Sequence, residues 1–336
     1  MNVFKDEMSL QNSMTSILRN LRHVAKRGRC ALFSSAEKQL WDAAAGKAPI
    51  KLFDVTLRDG LQGCPPLPLV EKQALFQRVL NSQEAMSIEV GSLVSPSVVP
   101  QMAESGELYR FAREMLDQRR SVGRCLPDLY LLVPPSMRYA RSALSLSCLN
   151  VSIPASVSED FQQKNVRKSK DETYAFIKEL SESNKFNKIK VYLSCVSECP
   201  VAEKRIPERE IVEEATRYMA LDGVAEVCLS DTMGTLNSVY LEYILWALTK
   251  ADPRGMQKVS LHLHESDDEG ETQLVLSVAL SYGIRSFDVS RIETGGCFVT
   301  MGEDACHANL SHAAMKTCAD RLGIEIDRPM VTVLRP

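Results

Sequence analysis

From about residue 50 onward, short apolar stretches alternate with amphipathic ones along almost the whole chain. KLFDVTL (51–57) is followed by a helix-like stretch near 70–83, MSIEVGSL (86–93) by one near 101–119, and DLYLLV (128–133) by one near 136–146. CLNVSIPAS (148–156) precedes a helix near 170–184, KIKVYLSCVS (188–197) one near 207–221, and VAEVCLSDT (224–232) one near 238–250. KVSLHLH (258–264) leads to a helix near 269–282, and IRSFDVSRI (284–292) to one near 304–322. The strand-like segments look like apolar runs rather than strict alternation, the pattern of parallel strands covered on both faces. Eight such units predict an α/β fold, a (β/α)8 TIM barrel. A doubly wound open sheet is the rival. It usually carries a glycine-rich turn after its first strand, and RDGLQG at that position lacks the GxGxxG spacing.

The domain organisation expected is an N-terminal extension over 1–48, a catalytic barrel over 49–325 and a short C-terminal tail over 326–336. From Met8 to Ser35 there is no acidic residue, while Arg19, Arg22, Lys26, Arg27 and Arg29 accumulate among serines. That is the composition of an organelle presequence. Asp6 and Glu7 fit instead a basic amphipathic helix lying on the barrel.

With 336 residues, 45% hydrophobic and 25% charged, the chain has the make-up of a soluble globular protein. A net charge of −3 gives no sign of a nucleic-acid partner. No apolar run reaches the roughly 18 residues a membrane span needs, so no membrane partner is expected. Ten cysteines are scattered through the chain, with Cys148, Cys195 and Cys228 inside apolar strands, and no secretory signal precedes them. Reduced thiols in a cytoplasmic or mitochondrial-matrix protein, not a secreted one, are the expectation. Cys195 and Cys199 are four apart, a poor match to zinc spacings.

In such a barrel, active-site groups sit where strands end, on the C-terminal face. Polar residues fall there: Arg58 and Asp59 after strand 1, Glu89 and Ser92 in strand 2, Ser194 and Ser197 at strand 5, Asp231 at strand 6. His262 and His264 end strand 7, and Arg291 and Glu293 end strand 8. His262 and His264, two apart on a strand, present both imidazoles to one face. With Asp59 they suggest three ligands for one divalent metal, Mg²⁺ or Mn²⁺, with Zn²⁺ as the alternative. Asp59 could also close a turn with Gly60. Arg58 adds a permanent positive charge at the same spot, suited to stabilising an enolate.

Glu89 lies within an apolar strand and needs a partner, for which Arg58 is the candidate. A structural ion pair and a catalytic carboxylate are both open. Asp231 is either a general base or a helix cap. In GGCFVTMGEDACHANLSH (295–312), a flexible loop offers Cys297 for proton transfer and Asn309 as a neutral oxygen ligand, with Cys306 and His307 competing for those roles.

DVTLRDGLQ, the HLH pair and the late GGC loop resemble the signature of the metal-dependent lyases and synthases built on this barrel. Within that group the chain is most similar to the 3-hydroxy-3-methylglutaryl-CoA lyase family, through IEVGSLVSPSVVPQMAES (88–105), SVSEDFQQKNV (156–166), VYLSCVSECP (191–200) and LSDTMGTLN (229–237). The resemblance covers about residues 50–320. It implies cleavage of a 3-hydroxy-3-methylglutaryl-CoA-like thioester to acetyl-CoA and acetoacetate, in leucine catabolism or ketone-body formation, by a homodimer. It also implies that Arg58, Cys297, Asp231 and Glu89 are catalytic and that Arg58, Gln62 and Ser92 contact substrate. Asp59, His262, His264 and Asn309 become the metal ligands.

Two departures stand out. Phe298 replaces the family's proline after the loop cysteine, with Asn309 twelve residues beyond Cys297. GCPPLPLV follows RDGLQ where the lyases carry a lysine-bearing segment. Two other readings use the same residues. One is a Claisen-type synthase joining acetyl-CoA to a 2-oxo acid, although such synthases carry further C-terminal regions and only residues 293–336 follow strand 8 here. The other is a barrel that binds metal and acyl-CoA without turnover.

Overall fold

A computed structural model of the protein describes residues 48–120, 126–266, 268–292 and 308–329. Among these, eight strands close into a parallel barrel: β1 (Lys51–Asp54), β2 (Ser87–Ser92), β3 (Asp128–Leu132), β4 (Asn150–Ser156), β5 (Lys188–Ser194), β6 (Val224–Ser230), β7 (Val259–His262) and β8 (Ser286–Val289). Each pairs with its neighbours in sequence, and β8 returns to β1 through Lys51–Ser286 to Asp54–Val289. The helices are α1 (Leu69–Ser82), α2 (Ser105–Arg120), α3 (Met137–Ser145), α4 (Glu159–Val166), α5 (Lys170–Glu182), α6 (Glu208–Met219), α7 (Ser238–Ala251), α8 (Glu269–Ser281) and α9 (His312–Leu322). This is the (β/α)8 barrel expected. No helix of the described residues is long and apolar enough to cross a membrane.

Four local features differ from the sequence expectation. Strand 1 ends at Asp54 rather than Leu57, because Thr56–Gly60 winds into one wide turn in which the Gly60 amide donates to the Val55 carbonyl at 3.1 Å. The short α4 was not expected. Its N-terminus is capped by Ser158, whose hydroxyl accepts from the Phe161 amide, and only Phe161 and Gln162 bury side chains, too few for a visible periodicity. A two-residue hairpin, Glu198–Cys199 against Lys204–Arg205, follows β5. The last helix begins at His312, capped by Ser311, rather than at 304, because residues 308–311 bridge in extended form to His264 and Ser290. Residues 304–307, like the 1–48 extension up to residue 47, lie outside the described residues. Ile326 bridges to Ile50, so the start of the tail is tied to the barrel. The described cysteines, Cys64, Cys148, Cys195, Cys199, Cys228 and Cys318, form no disulfide with one another.

The apolar core is asymmetric. Outward positions such as Val151, Ile153, Ile189, Val191, Leu193, Val227, Leu229, Leu261 and Phe287 pack against the helices in one large cluster. Phe53, Val55 and Tyr130 form a small separate cluster. The remaining lumen is polar: Lys190 Nζ donates to Asp288 and, at 2.8 Å, reaches Glu226, and it lies 3.6 Å from the centre of the Phe53 ring. The strands therefore alternate, apolar outward and polar inward, where the sequence reads as continuous apolar runs. Burial alone would lower the Lys190 pKa, but Asp288, Cys228 and Glu226 hold it well above its ordinary value. Lys190→Met leaves these carboxylates uncompensated in the interior. It is expected to destabilise the fold by about 3–5 kcal/mol in chemical denaturation, and Lys190→Met combined with Asp288→Asn by clearly less.

Candidate active site

The wide turn after β1 places Arg58 and Asp59 over the barrel's C-terminal mouth. Its start is pinned by the buried Asp54, whose carboxylate accepts from the Thr56 amide at 2.9 Å and pairs with His312 Nε2 at 2.9 Å. Its end is crowded: a Cβ on Gly60 would sit 2.7 Å from Ser290 Oγ, so a larger residue there needs that side chain to move. Arg58 and Asp59 are both buried. The Arg58 guanidinium donates from Nε to Glu89 Oε2 at 2.5 Å and from a terminal nitrogen to Asp59 Oδ1. It also lies 4.9 Å over the Tyr192 ring. Burial opposes its charge, but Glu89 and Asp59 raise its pKa well above the ordinary value, so the cation is permanent here.

His262 ends β7 and His264 follows two residues on, their rings edge to face with centres 5.2 Å apart. The His264 Nδ1–H donates to the Asp231 carbonyl at 2.5 Å, and His262 Nδ1 meets Asp288 Oδ2 at 3.2 Å. Both Nε2 atoms therefore face Asp59, at 3.7 Å and 4.0 Å from its Oδ2. Those separations are too long for hydrogen bonds. His264 Nε2 is buried without a hydrogen-bond partner. Burial, with His262 beside it, keeps His264 below the ordinary imidazole range and hence neutral. Burial opposes ionisation of Asp59, yet Arg58 and the two histidines bring its pKa down to about 2. One ligand atom from each of the three residues lies within 4.8 Å of the others. An anionic oxygen and two imidazole nitrogens, one of them orphaned, fit a divalent cation.

The segment at 308–311 is stitched beside this cluster: Glu265 N donates to Ala308 O at 2.7 Å, Leu310 N to Leu263 O at 2.9 Å, and Asn309 bridges to His264. The Asn309 side chain hydrogen-bonds Asp59. Glu89, fully buried, accepts from Arg58 and from Ser152 Oγ. Ser92 is buried in β2 and accepts from the Val94 amide, while Gln62 is half-buried just past the turn.

Two strand-end residues behave differently from the expectation of convergence. The Asp231 carboxylate accepts from Ser197 Oγ at 2.7 Å, Thr235 N at 3.3 Å and Leu236 N at 3.1 Å, closing its own loop, whereas the helix that follows is capped by Asn237. The Asp231 main-chain carbonyl accepts from His264 Nδ1. Arg291 turns to Ser82 and Glu84, with its Nε 3.8 Å from Asp54 Oδ2, while its amide donates to Thr56 Oγ1 at 2.9 Å. Glu293, Cys297, Cys306 and His307 lie outside the described residues.

Sequence reasoning missed Tyr192, Asp288 and Lys190. The Tyr192 hydroxyl lies 2.9 Å from Asp288 Oδ2 and 3.2 Å from Glu89 Oε2. Burial works against the Asp288 carboxylate, but Lys190 and His262 hold its pKa below the ordinary range. The signal was present: Lys190 and Asp288 are charges inside apolar strands, the argument that singled out Glu89.

An arginine and an Asp–His–His cluster on the catalytic face define a (β/α)8 barrel with a candidate divalent-metal centre. The HMGL-like family model matches residues 49–328, and the chain belongs to that family. It is 31% identical to a 3-hydroxy-3-isohexenylglutaryl-CoA/hydroxy-methylglutaryl-CoA lyase from Pseudomonas aeruginosa, over 74% of this chain and 78% of that protein. It is 28% identical to a hydroxymethylglutaryl-CoA lyase from Bacillus subtilis, over 74% and 78%. The crystal structure of a hydroxymethylglutaryl-CoA lyase from Pseudomonas aeruginosa superposes with a TM-score of 0.71 at 26% identity, covering 85% of this chain and 88% of that one.

Proposed function

We propose that the protein is a divalent-metal-dependent carbon–carbon lyase that cleaves a 3-hydroxy-3-methylglutaryl-CoA-like thioester to acetyl-CoA and acetoacetate. The observation that carries this is the convergence of Arg58 with Asp59, His262 and His264 on the barrel mouth. The chain is also related along most of its length to lyases of that substrate class. Asp59, His262 and His264 would hold the ion, with Asn309 alongside, and two imidazoles with oxygen ligands and open positions suit Mg²⁺ or Mn²⁺. When bound, the ion supplies Lewis acidity to the substrate's oxygens.

The chain's own residues account for much of the rest. In a retro-Claisen cleavage the tertiary hydroxyl loses its proton to a base. The bond between the carbinol carbon and the thioester's α-carbon breaks, leaving a ketone and a thioester enolate. Arg58 brings a fixed positive charge to the enolate oxygen without reorganising, because Glu89 and Asp59 lock the guanidinium on two sides. Protonation of the α-carbon then completes acetyl-CoA, and Cys297 is the residue we assign to that transfer on the family resemblance. The main-chain carbonyl of Asp231 orients the ring of His264, and its carboxylate is the candidate base.

The test is direct. Purified protein stripped of metal and given 3-hydroxy-3-methylglutaryl-CoA should release acetoacetate only after Mg²⁺ or Mn²⁺ is restored. Metal binding without cleavage of this thioester would overturn the proposal.

A further inference from the structure

The lumen beneath the metal cluster holds a charged pair that neither the turn nor the loop of the site explains. Asp288 is buried in β8, directly across the ladder from His262, its partner in register. Its two oxygens have separate duties. Oδ1 accepts from the ammonium of Lys190, which is itself held on its other side by Glu226 at 2.8 Å. Oδ2 faces His262 Nδ1 at 3.2 Å and the Tyr192 hydroxyl at 2.9 Å. Lys190 is a donor only, so it fixes which oxygen points down and leaves the other aimed at the histidine. Glu226 and Cys228, with Asp288, could by distance alone hold a cation of their own. The Lys190 ammonium already contacts both carboxylates, and it fills that role.

A neutral imidazole carries one N–H and one lone pair, and the hydrogen bond at one nitrogen decides which is which. An acceptor at Nδ1 puts the proton there and turns the Nε2 lone pair toward Asp59. A donor at Nδ1 would do the reverse, and Nε2–H cannot bind a cation. We infer that Lys190 and Asp288 form a positioning pair that sets the tautomer of His262, and through it the metal affinity of the Asp59–His262–His264 cluster. The inference rests on the proposed role of His262 as a ligand. Neither residue touches substrate in this account. His264 has an independent and simpler arrangement, a main-chain carbonyl at Nδ1, which no side-chain substitution removes.

Asp288→Asn is the informative change. Lys190 still demands a carbonyl oxygen, so the amide NH₂ takes the place of Oδ2 and donates to His262 Nδ1. The expected result is a switch of His262 from the Nδ1–H to the Nε2–H tautomer, read by ¹⁵N–¹H correlation on histidine-labelled protein. A fall of about 10–100-fold in Mn²⁺ affinity by calorimetry should accompany it, the usual cost of losing an outer partner of a ligating histidine. Adding Lys190→Met frees the amide to turn its carbonyl toward His262. The double variant should regain the Nδ1–H tautomer and most of the affinity, which a merely structural role would not produce. The metal-free wild type gives a check that needs no variant to fold, because its His262 should already be Nδ1–H. An Nε2–H signal there, or an Asp288→Asn protein that keeps both tautomer and Mn²⁺ affinity, would overturn the inference alone. A wild type that binds no Mn²⁺ at all would instead overturn the ligand assignment on which it rests.

Discussion

Arg58→Gln is expected to lower kcat for thioester cleavage by about 10²–10³-fold, the usual effect of removing one preorganised donor from a developing oxyanion. The metal should still bind. Arg58 lies against Asp59 as a competing cation, so its loss does not weaken the attraction of that carboxylate for a divalent ion. A split between lost turnover and retained Mn²⁺ affinity, measured on the same preparation, separates enolate stabilisation from metal ligation. Stability should drop too, because Glu89 is fully buried and loses its cationic partner, leaving Ser152 and Tyr192 as its hydrogen-bonding contacts. Breaking such a pair from one side costs about 3–5 kcal/mol. Urea denaturation reads that directly. Wild-type kcat in a folded Arg58→Gln protein would remove the arginine from the mechanism.

His264→Ala should weaken Mn²⁺ binding by at least about 100-fold, the upper end of what outer-sphere partners alone cost. Acetoacetate release should fall to background at ordinary metal concentrations and recover partly at high Mn²⁺. His264 is the cleaner of the two histidines to remove. Its Nε2 has no hydrogen-bond partner, and its Nδ1 meets only a main-chain carbonyl, so truncation disturbs little besides the ligand set. Calorimetry on the folded variant checks it. Unchanged metal affinity would exclude His264 from the cluster.

Most of the architecture could be read from the chain because a parallel barrel writes itself locally. Each strand buries an outward apolar row against the helices, and each helix carries a matching stripe, so eight units recur at regular spacing. The paired histidines were legible for the same reason, since alternation along a strand forces His262 and His264 to one side. What the sequence concealed was the inward face. Lys190 and Tyr192 share β5, but Glu226 and Asp288 come from β6 and β8, and nothing in the linear order marks the three strands' polar residues as neighbours. Seen singly, each is an isolated polar residue in an apolar run. The local winding at Thr56–Gly60 was hidden for a related reason: it depends on Asp54 being held by His312 and on Ser290 crowding Gly60, contacts made from far along the chain.

Asp231 and Arg291 show the limit from the other side. Both end strands, as barrel logic requires of functional groups, yet one closes its loop and the other turns to Ser82 and Glu84. Strand ends bring a residue to the catalytic face, and hydrogen bonds to the flanking loops then decide which way its side chain turns.

By itself, the sequence determined the barrel, the rim on which chemistry would occur, and the arginine, aspartate and histidine pair that would carry it. These follow from periodicity and residue type, which are local. Only the tertiary structure decided which imidazole nitrogens face Asp59, that Glu89 and Asp59 clamp Arg58 from two sides, and that a buried Lys190–Asp288 pair stands behind His262. Those depend on closure of the barrel, which brings charges from distant strands into one water-poor interior where each must find a partner.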